Sequence, residues 1–155
     1  MIQILPASPL DPDCLRLLQM SHALMGDLFP AESNHMLDPA ALTGDDIRFF
    51  AARRDGAVVG CAALALRDGY GEIKSMFVDP AARGTGAAAA LMRMLEDTAR
   101  EEGLPVVRLE TGDTLTAARR LYASHGFAER GPFGDYAEDP LSVFMEKRLE
   151  PMGSD

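Results

Sequence analysis

Met76-Phe77-Val78-Asp79-Pro80-Ala81-Ala82-Arg83-Gly84-Thr85-Gly86-Ala87-Ala88-Ala89 decides how the rest of the chain is read. An apolar run stops at Asp79-Pro80, because proline offers no N–H to a strand ladder. A short loop follows, and glycines open an alanine-rich helix. A helix start carries backbone N–H groups without intrahelical acceptors and the positive end of the dipole. Small residues let a ligand approach that backbone closely, so the turn is a candidate cradle for phosphate or pyrophosphate, with Arg83 as a charge beside it. A simpler reading is that the small residues only let the helix pack tightly on a sheet. A further one is a dinucleotide fingerprint, since Gly84-Thr85-Gly86-Ala87-Ala88-Ala89 fits G-x-G-x-x-A and Glu110 ends the next strand, where a ribose-binding acid would sit. That fingerprint normally follows the first strand of a parallel sheet. Here several strands precede it and too little chain follows.

Working outward, local patterns alternate between strand and helix. Ile2–Leu5 is a short strand closed by Pro6. The spacing of Cys14, Leu17, Leu18, Ser21, Met25 and Leu28 predicts a helix over 11–28, with Pro12 in its first turn. Residues 31–44 read as a loop with one short helical turn. Asp46–Arg53 and Ala57–Leu66 are paired strands joined by the turn Arg54-Asp55-Gly56. Glu72–Val78 is a third strand. Residues 84–102 form the clearest helix, with Ala87, Ala90, Leu91, Met94, Leu95 and Thr98 inward and Arg93, Glu96, Asp97 and Arg100 outward, stopped by Gly103. Val106–Thr111 is a strand, Asp113–His125 a helix stopped by Gly126, and Phe127–Glu129 and Ser142–Arg148 closing strands. A meander passing into βαβ units gives an α/β or α+β chain with a mixed sheet and helices on its faces.

The 155 residues suit one domain, expected over 1–150 with a tail at 151–155. Apolar residues make up 47% and charged residues 25% of the chain, the ordinary globular balance, which excludes disordered, collagen-like and coiled-coil chains. No apolar run reaches ~18 residues, so no membrane span is expected. The formal net charge of −9 argues against a nucleic-acid binder and tilts slightly toward a cationic small-molecule partner. Cys14 and Cys61 are too few for a disulfide framework and read as buried small hydrophobes. The start of the chain lacks signal-peptide features, so a cytoplasmic protein is expected.

Arg83-x-x-Gly86-x-Ala88 matches the R/Q-x-x-G-x-G/A signature of the GNAT acetyltransferase superfamily. Downstream, Ala118-Arg119-Arg120-Leu121-Tyr122-Ala123-Ser124-His125-Gly126-Phe127 resembles the A-x-x-L-Y-x-x-x-G-F segment of that family. Gly60–Leu64 and Glu72–Val78 look like the strands leading into the signature. Pro132–Tyr136 with Asp139–Lys147 resembles the tail of a small bacterial subgroup. The resemblance is clear over 45–149. It implies a GNAT fold, with a mixed, mostly antiparallel sheet of six or seven strands and helices on both faces, and an acetyl-CoA-dependent N-acetyltransferase.

The resemblance also assigns roles. Met76, Phe77 and Val78 would pair with the pantetheine arm where this strand splays from its neighbour. Arg83, Gly84, Thr85, Gly86, Ala87, Ala88 and Ala89 would hold the pyrophosphate, and Ala118 would contact the cofactor. Tyr122 sits where relatives place a tyrosine that protonates the leaving thiolate; read by itself it is a core tyrosine beside Ala118 and Leu121. Glu72 is a candidate general base, or else an exposed strand carboxylate facing Lys74. Glu110 is its rival, and many relatives use ordered water alone. Leu115 departs from the family pattern, since many relatives have an asparagine seven residues before the tyrosine; Thr114 and Thr116 are the substitutes at hand. His22 and Glu32, from the first helix and its loop, and Phe133 and Tyr136 are expected to line the acceptor pocket. No metal-ligand spacing is present. The acceptor is expected to be a small-molecule or peptide amine, with an O-acyl acceptor, a homodimer and a non-catalytic acyl-CoA-sensing module left open.

Overall fold

The structure, a computed structural model, describes residues 1–150. The tail expected at 151–155 lies outside the described residues. Seven strands run in chain order: β1 (Ile2–Pro6), β2 (Ile47–Arg54), β3 (Ala57–Leu66), β4 (Gly71–Val78), β5 (Val106–Gly112), β6 (Ala128–Arg130) and β7 (Ser142–Arg148). They form one sheet in the order β1-β2-β3-β4-β5-β7-β6. Only the β4–β5 pair is parallel. The mixed, mostly antiparallel sheet matches the expectation.

Three α-helices cover it: α1 (Pro12–Leu28), α2 (Ala87–Glu101) and α3 (Thr116–Ser124). Helix α1 packs Cys14, Leu17 and Leu18 against Phe49, Cys61 and Ala63 on one face. Helices α2 and α3 pack Leu91, Met92, Leu95 and Tyr122 against Leu64, Ile73, Val107 and Leu109 on the other. Each fully buried leucine contributes roughly 2 kcal/mol of burial. No helix among the described residues is long and apolar enough to cross a membrane.

The boundaries shift where turn chemistry outweighs periodicity. Helix α2 begins at Ala87 and not at 84, because Gly84 and Gly86 hold φ of 80° and 87°. Helix α3 begins at Thr116 after a turn in which Leu115 N–H donates to Gly112 O. The loop 31–44 holds two 3-10 turns, Ala31–Ser33 and Pro39–Thr43. Leu28 is exposed, while the next residue, Phe29, turns inward. Glu96 is also corrected: it is buried, with Lys147 Nζ at 2.7 Å, so α2 is enclosed on a wider arc than its apolar stripe suggests. Both α2 and α3 end on a left-handed glycine, Gly103 and Gly126. At the second, Phe127 N–H donates to the Tyr122 carbonyl at 3.1 Å and fixes the last turn of α3.

Candidate active site

The cleft begins where β4 leaves β5. The two strands pair only over Gly71–Ile73 and Val107–Leu109. Beyond Ile73, β4 stays registered with β3, and its other edge loses its strand partner. The departure coincides with a bulge: Cys61 pairs with Phe77 and Ala63 with Lys74, so Ala62 faces both Ser75 and Met76. Ser75 sits at φ 55°, a left-handed conformation that costs a non-glycine residue ~1–2 kcal/mol. Its hydroxyl is buried without a hydrogen-bond partner among the described residues. Sequence reasoning placed this strand correctly but had no signal for the bulge, since no glycine marks it.

A cavity of about 120 Å³ opens in the gap. Ser75 and Met76 of β4, Glu110 and Gly112 of β5, Ala118 and Tyr122 of α3, and Phe29, His35 and Met36 of the α1–β2 connection line it. Leu115 lines it too, so the position that departs from the family pattern does face this space. Glu110 and Tyr122 are therefore brought together. Burial raises the Glu110 carboxyl above its ordinary range, while the nearby Ser142 hydroxyl, His35 and Lys74 pull it down. Burial, and then the Glu110 charge, push the Tyr122 phenol well above its ordinary value. A phenol so placed keeps its proton and is a donor.

Glu72 is buried, with 3% exposure, which removes the exposed-carboxylate reading. Tyr136 Oη donates to its Oε2 at 2.6 Å, Arg67 Nε to its Oε1 at 3.3 Å, and Lys74 Nζ lies 3.5 Å away. Lys74 also donates to Tyr136 Oη at 2.8 Å and to the His35 carbonyl at 3.1 Å, tying the α1–β2 connection to the β6–β7 loop. This network borders a second cavity of about 640 Å³, lined by Arg67, Tyr70, Glu72, Lys74, Asp135 and Tyr136 among others. His35, Met36 and Lys74 line both cavities.

The remaining expected residues scatter. Phe133 is buried behind the larger cavity, edge-on to Tyr70 and Tyr136 at 5.6 and 5.1 Å between ring centroids. Phe77 packs toward α1 and Val78 toward α2. His22 lines neither cavity; its Nε2 lies 3.1 Å from the Leu37 carbonyl. Glu32 is exposed on the first 3-10 turn. Cys61, buried, has its thiol pushed up to about 12 by burial, which suits packing and not nucleophilic work. Arg67 and Tyr70 were not singled out from sequence, and Lys74 was named only as the strand neighbour of Glu72. The turn Gly69-Tyr70-Gly71 was the available hint, because an aromatic between glycines is displayed to whatever lies above the turn.

At the start of α2 no side chain caps the helix, and its first backbone bond is Ala90 N–H to Gly86 O at 3.0 Å. The N–H groups of Ala87, Ala88 and Ala89 thus have no helical acceptor. A Cβ at Gly84 or Gly86 would meet nothing within 4 Å, so the turn is open around both glycines. Arg83 is exposed beside it and makes no ion pair among the described residues. Donors, charge and open space suit a pyrophosphate.

Residues 15–127 match the model of the Acetyltransferase (GNAT) family. The chain belongs to that family. The IAA acetyltransferase of Azospirillum brasilense is 49% identical over 150 residues, spanning 96% of this chain and 98% of that protein. A solved structure from Klebsiella pneumoniae, assigned as an acyl-CoA N-acyltransferase, superimposes with a TM-score of 0.82 at 35% identity, covering 97% of this chain and 99% of that one. A GNAT acetyltransferase from Elizabethkingia anophelis, solved with acetyl-CoA bound, shares the fold with a TM-score of 0.67 at 19% identity, over 96% and 98% of the two chains. This GNAT protein is an N-acetyltransferase by family, with the fold that the glycine turn and the Leu121-Tyr122 segment implied.

Proposed function

We propose that this GNAT enzyme transfers an acetyl group from acetyl-CoA directly to a primary amine, with Glu110 as general base and Tyr122 as general acid. The observation that carries the reading is the shared cavity of Glu110 and Tyr122 at the parting of β4 and β5. Acetyl-CoA, when bound, supplies the acyl group as a thioester. The start of α2 and Arg83 would hold its pyrophosphate, and the open edge of β4 its pantetheine arm. A solved GNAT neighbour with acetyl-CoA bound supports this choice of donor.

An acceptor ammonium gives its proton to Glu110, whose burial raises its affinity for that proton. Backbone N–H groups on the open edge of β4 donate to the oxygen on which negative charge develops. The freed amine attacks the thioester carbon, forming the C–N bond; as the C–S bond breaks, Tyr122 gives its phenolic proton to the departing sulfur, and the second proton lost by the nitrogen restores the phenol. Holding both substrates in one cleft supplies much of the acceleration. Glu72, already met by Arg67, Lys74 and Tyr136, serves to fix the acceptor side.

Calorimetric titration of the protein with acetyl-CoA, with NADH as control, tests the reading, followed by thiol release with amines. Saturable acetyl-CoA binding and silence with NADH are expected. Silence with acetyl-CoA would overturn it.

A further inference from the structure

We infer that the acceptor carries a carboxylate several bonds from its amine, and that Arg67 holds that carboxylate. The inference rests on the acetyl-transfer reading and names the class of acceptor for the same site.

Four cations gather on the side of the sheet that bears the larger cavity: Arg67, Lys74, Arg108 and Arg130. Three are committed. Arg108 Nε and Arg130 Nη1 both donate to Glu146 Oε1, at 2.7 and 2.6 Å. Lys74, nearly buried, is held by Tyr136, His35 and Glu72. Arg67 differs. Its bonds to Glu72 at 3.3 Å and to Asp46 at 3.4 Å exceed the ~2.7–2.9 Å of a close charge-assisted bond. Its Nη2 has no partner among the described residues, and its side chain is 33% exposed in the cavity wall. The unpartnered Nη2 of a guanidinium in a cavity wall is a charged donor for an entering carboxylate, which would share the group with the long bonds to Glu72 and Asp46.

The acids lining this cavity are Glu72 and Asp135. Glu72 already has three partners, and Asp135 is exposed. A second ammonium, as in a polyamine, would face Arg67 and Lys74 with no unpaired buried carboxylate to meet it. The charges lining the cavity balance, Arg67 and Lys74 against Glu72 and Asp135, so the net charge of −9 does not reach it as an excess of acid.

Spacing sets the distance between the two groups. Glu72 is in register with Arg108, and Glu110 lies two residues further along β5. With ~3.3 Å per residue and ~4.8 Å between strands, the two carboxylate-bearing positions are about 8 Å apart. Arg67 lies at the Glu72 end. Tyr136, bonded to Glu72 and Lys74, lines the larger cavity, and Lys74 lines both cavities. An amine delivered to Glu110 therefore leaves room for several bonds before a carboxylate reaches Arg67, as in an ω-amino acid, a lysine side chain or a short peptide.

The test is thiol release by the full chain with acetyl-CoA and matched acceptors: 6-aminohexanoate against hexylamine, L-lysine against cadaverine, and triglycine against its amide. The carboxylated member of at least one pair is expected to show a kcat/KM at least tenfold higher. Arg67→Gln should erase that preference mainly through KM, and Arg67→Lys should restore part of it. Equal or better turnover of every amine-only member would overturn the inference while leaving acetyl transfer standing. Acetyl-CoA binding without thiol release from any pair would overturn the acceptor assignment. Failure to bind acetyl-CoA would overturn the reading beneath both. If Arg67→Gln does not fold, the matched pairs on the unaltered protein still decide.

Discussion

Glu110 on β5 and Tyr122 on α3 reach one cavity from opposite faces of the sheet. Leu109 points into the layer that holds Tyr122, so its strand neighbour Glu110 points the other way. Only the parting of β4 and β5 lets the two meet. The proposed base on one face and the proposed acid on the other suit a reaction in which the acceptor and the thioester approach from opposite sides.

Tyr122→Phe removes the proposed acid while keeping the ring in the core. Turnover should fall at least ~tenfold, within the usual range for a lost proton donor, with little change in acetyl-CoA affinity by calorimetry. Unchanged turnover would assign the phenol to packing alone.

Glu110 couples activity to stability with opposite signs. Its folded pKa lies above the ordinary glutamate value, so the folded state binds more protons between the two values and loses stability as pH rises through that window. Above it the penalty is complete. Glu110→Gln should therefore raise Tm at pH 8, with the gain shrinking toward pH ~4.3, and should lower kcat/KM about 100-fold. The acidic limb of the pH–rate profile should lie above the normal carboxylate range and vanish in the variant. An unaltered pH profile would point to water as the base.

Glu72→Gln should behave differently. It removes the carboxylate charge beside Lys74, whose side chain is 9% exposed, and beside Arg67, leaving Lys74 only the neutral Tyr136 and His35 carbonyl and Arg67 only Asp46. Breaking such a buried pair costs about 3 kcal/mol. Denaturant unfolding should show that loss, and a rise in Tm at neutral pH would contradict the network described.

Gly86→Glu should abolish acetyl-CoA binding, through bulk and like charge at the proposed pyrophosphate site. Gly86→Ala separates the backbone effect, since φ of 87° costs an alanine ~1–2 kcal/mol without adding charge. Calorimetry should find binding lost in the first variant and retained in the second. Retained binding in both would remove the pyrophosphate from this turn.

Gly112→Ala drives a Cβ into the ring of Phe29, which lines the smaller cavity. Overpacking of this kind costs ~1–3 kcal/mol. Thermal melts should report the loss, and the acceptor KM should rise as Phe29 is displaced.

Local chemistry made much of this protein legible in its sequence. Apolar periodicity placed the helices and strands to within a few residues, because each pattern acts on neighbours in the chain. Arg83 and the glycines after it marked an uncapped helix start, because a helix start needs no distant residue to expose its N–H groups. Tertiary structure decided the rest. Glu72 and Glu110 look alike as strand carboxylates, yet one is enclosed by Arg67, Lys74 and Tyr136 while the other faces a cavity with a raised pKa. Tyr136 and Glu72 stand 64 residues apart in the chain and 2.6 Å apart in space. The bulge at Ser75, and with it the gap that joins the two faces, follows from the register of β4 on β3 and not from any residue at that position. Burial and charge at a site sum over every element packed around it, so only the folded chain sorts the two carboxylates.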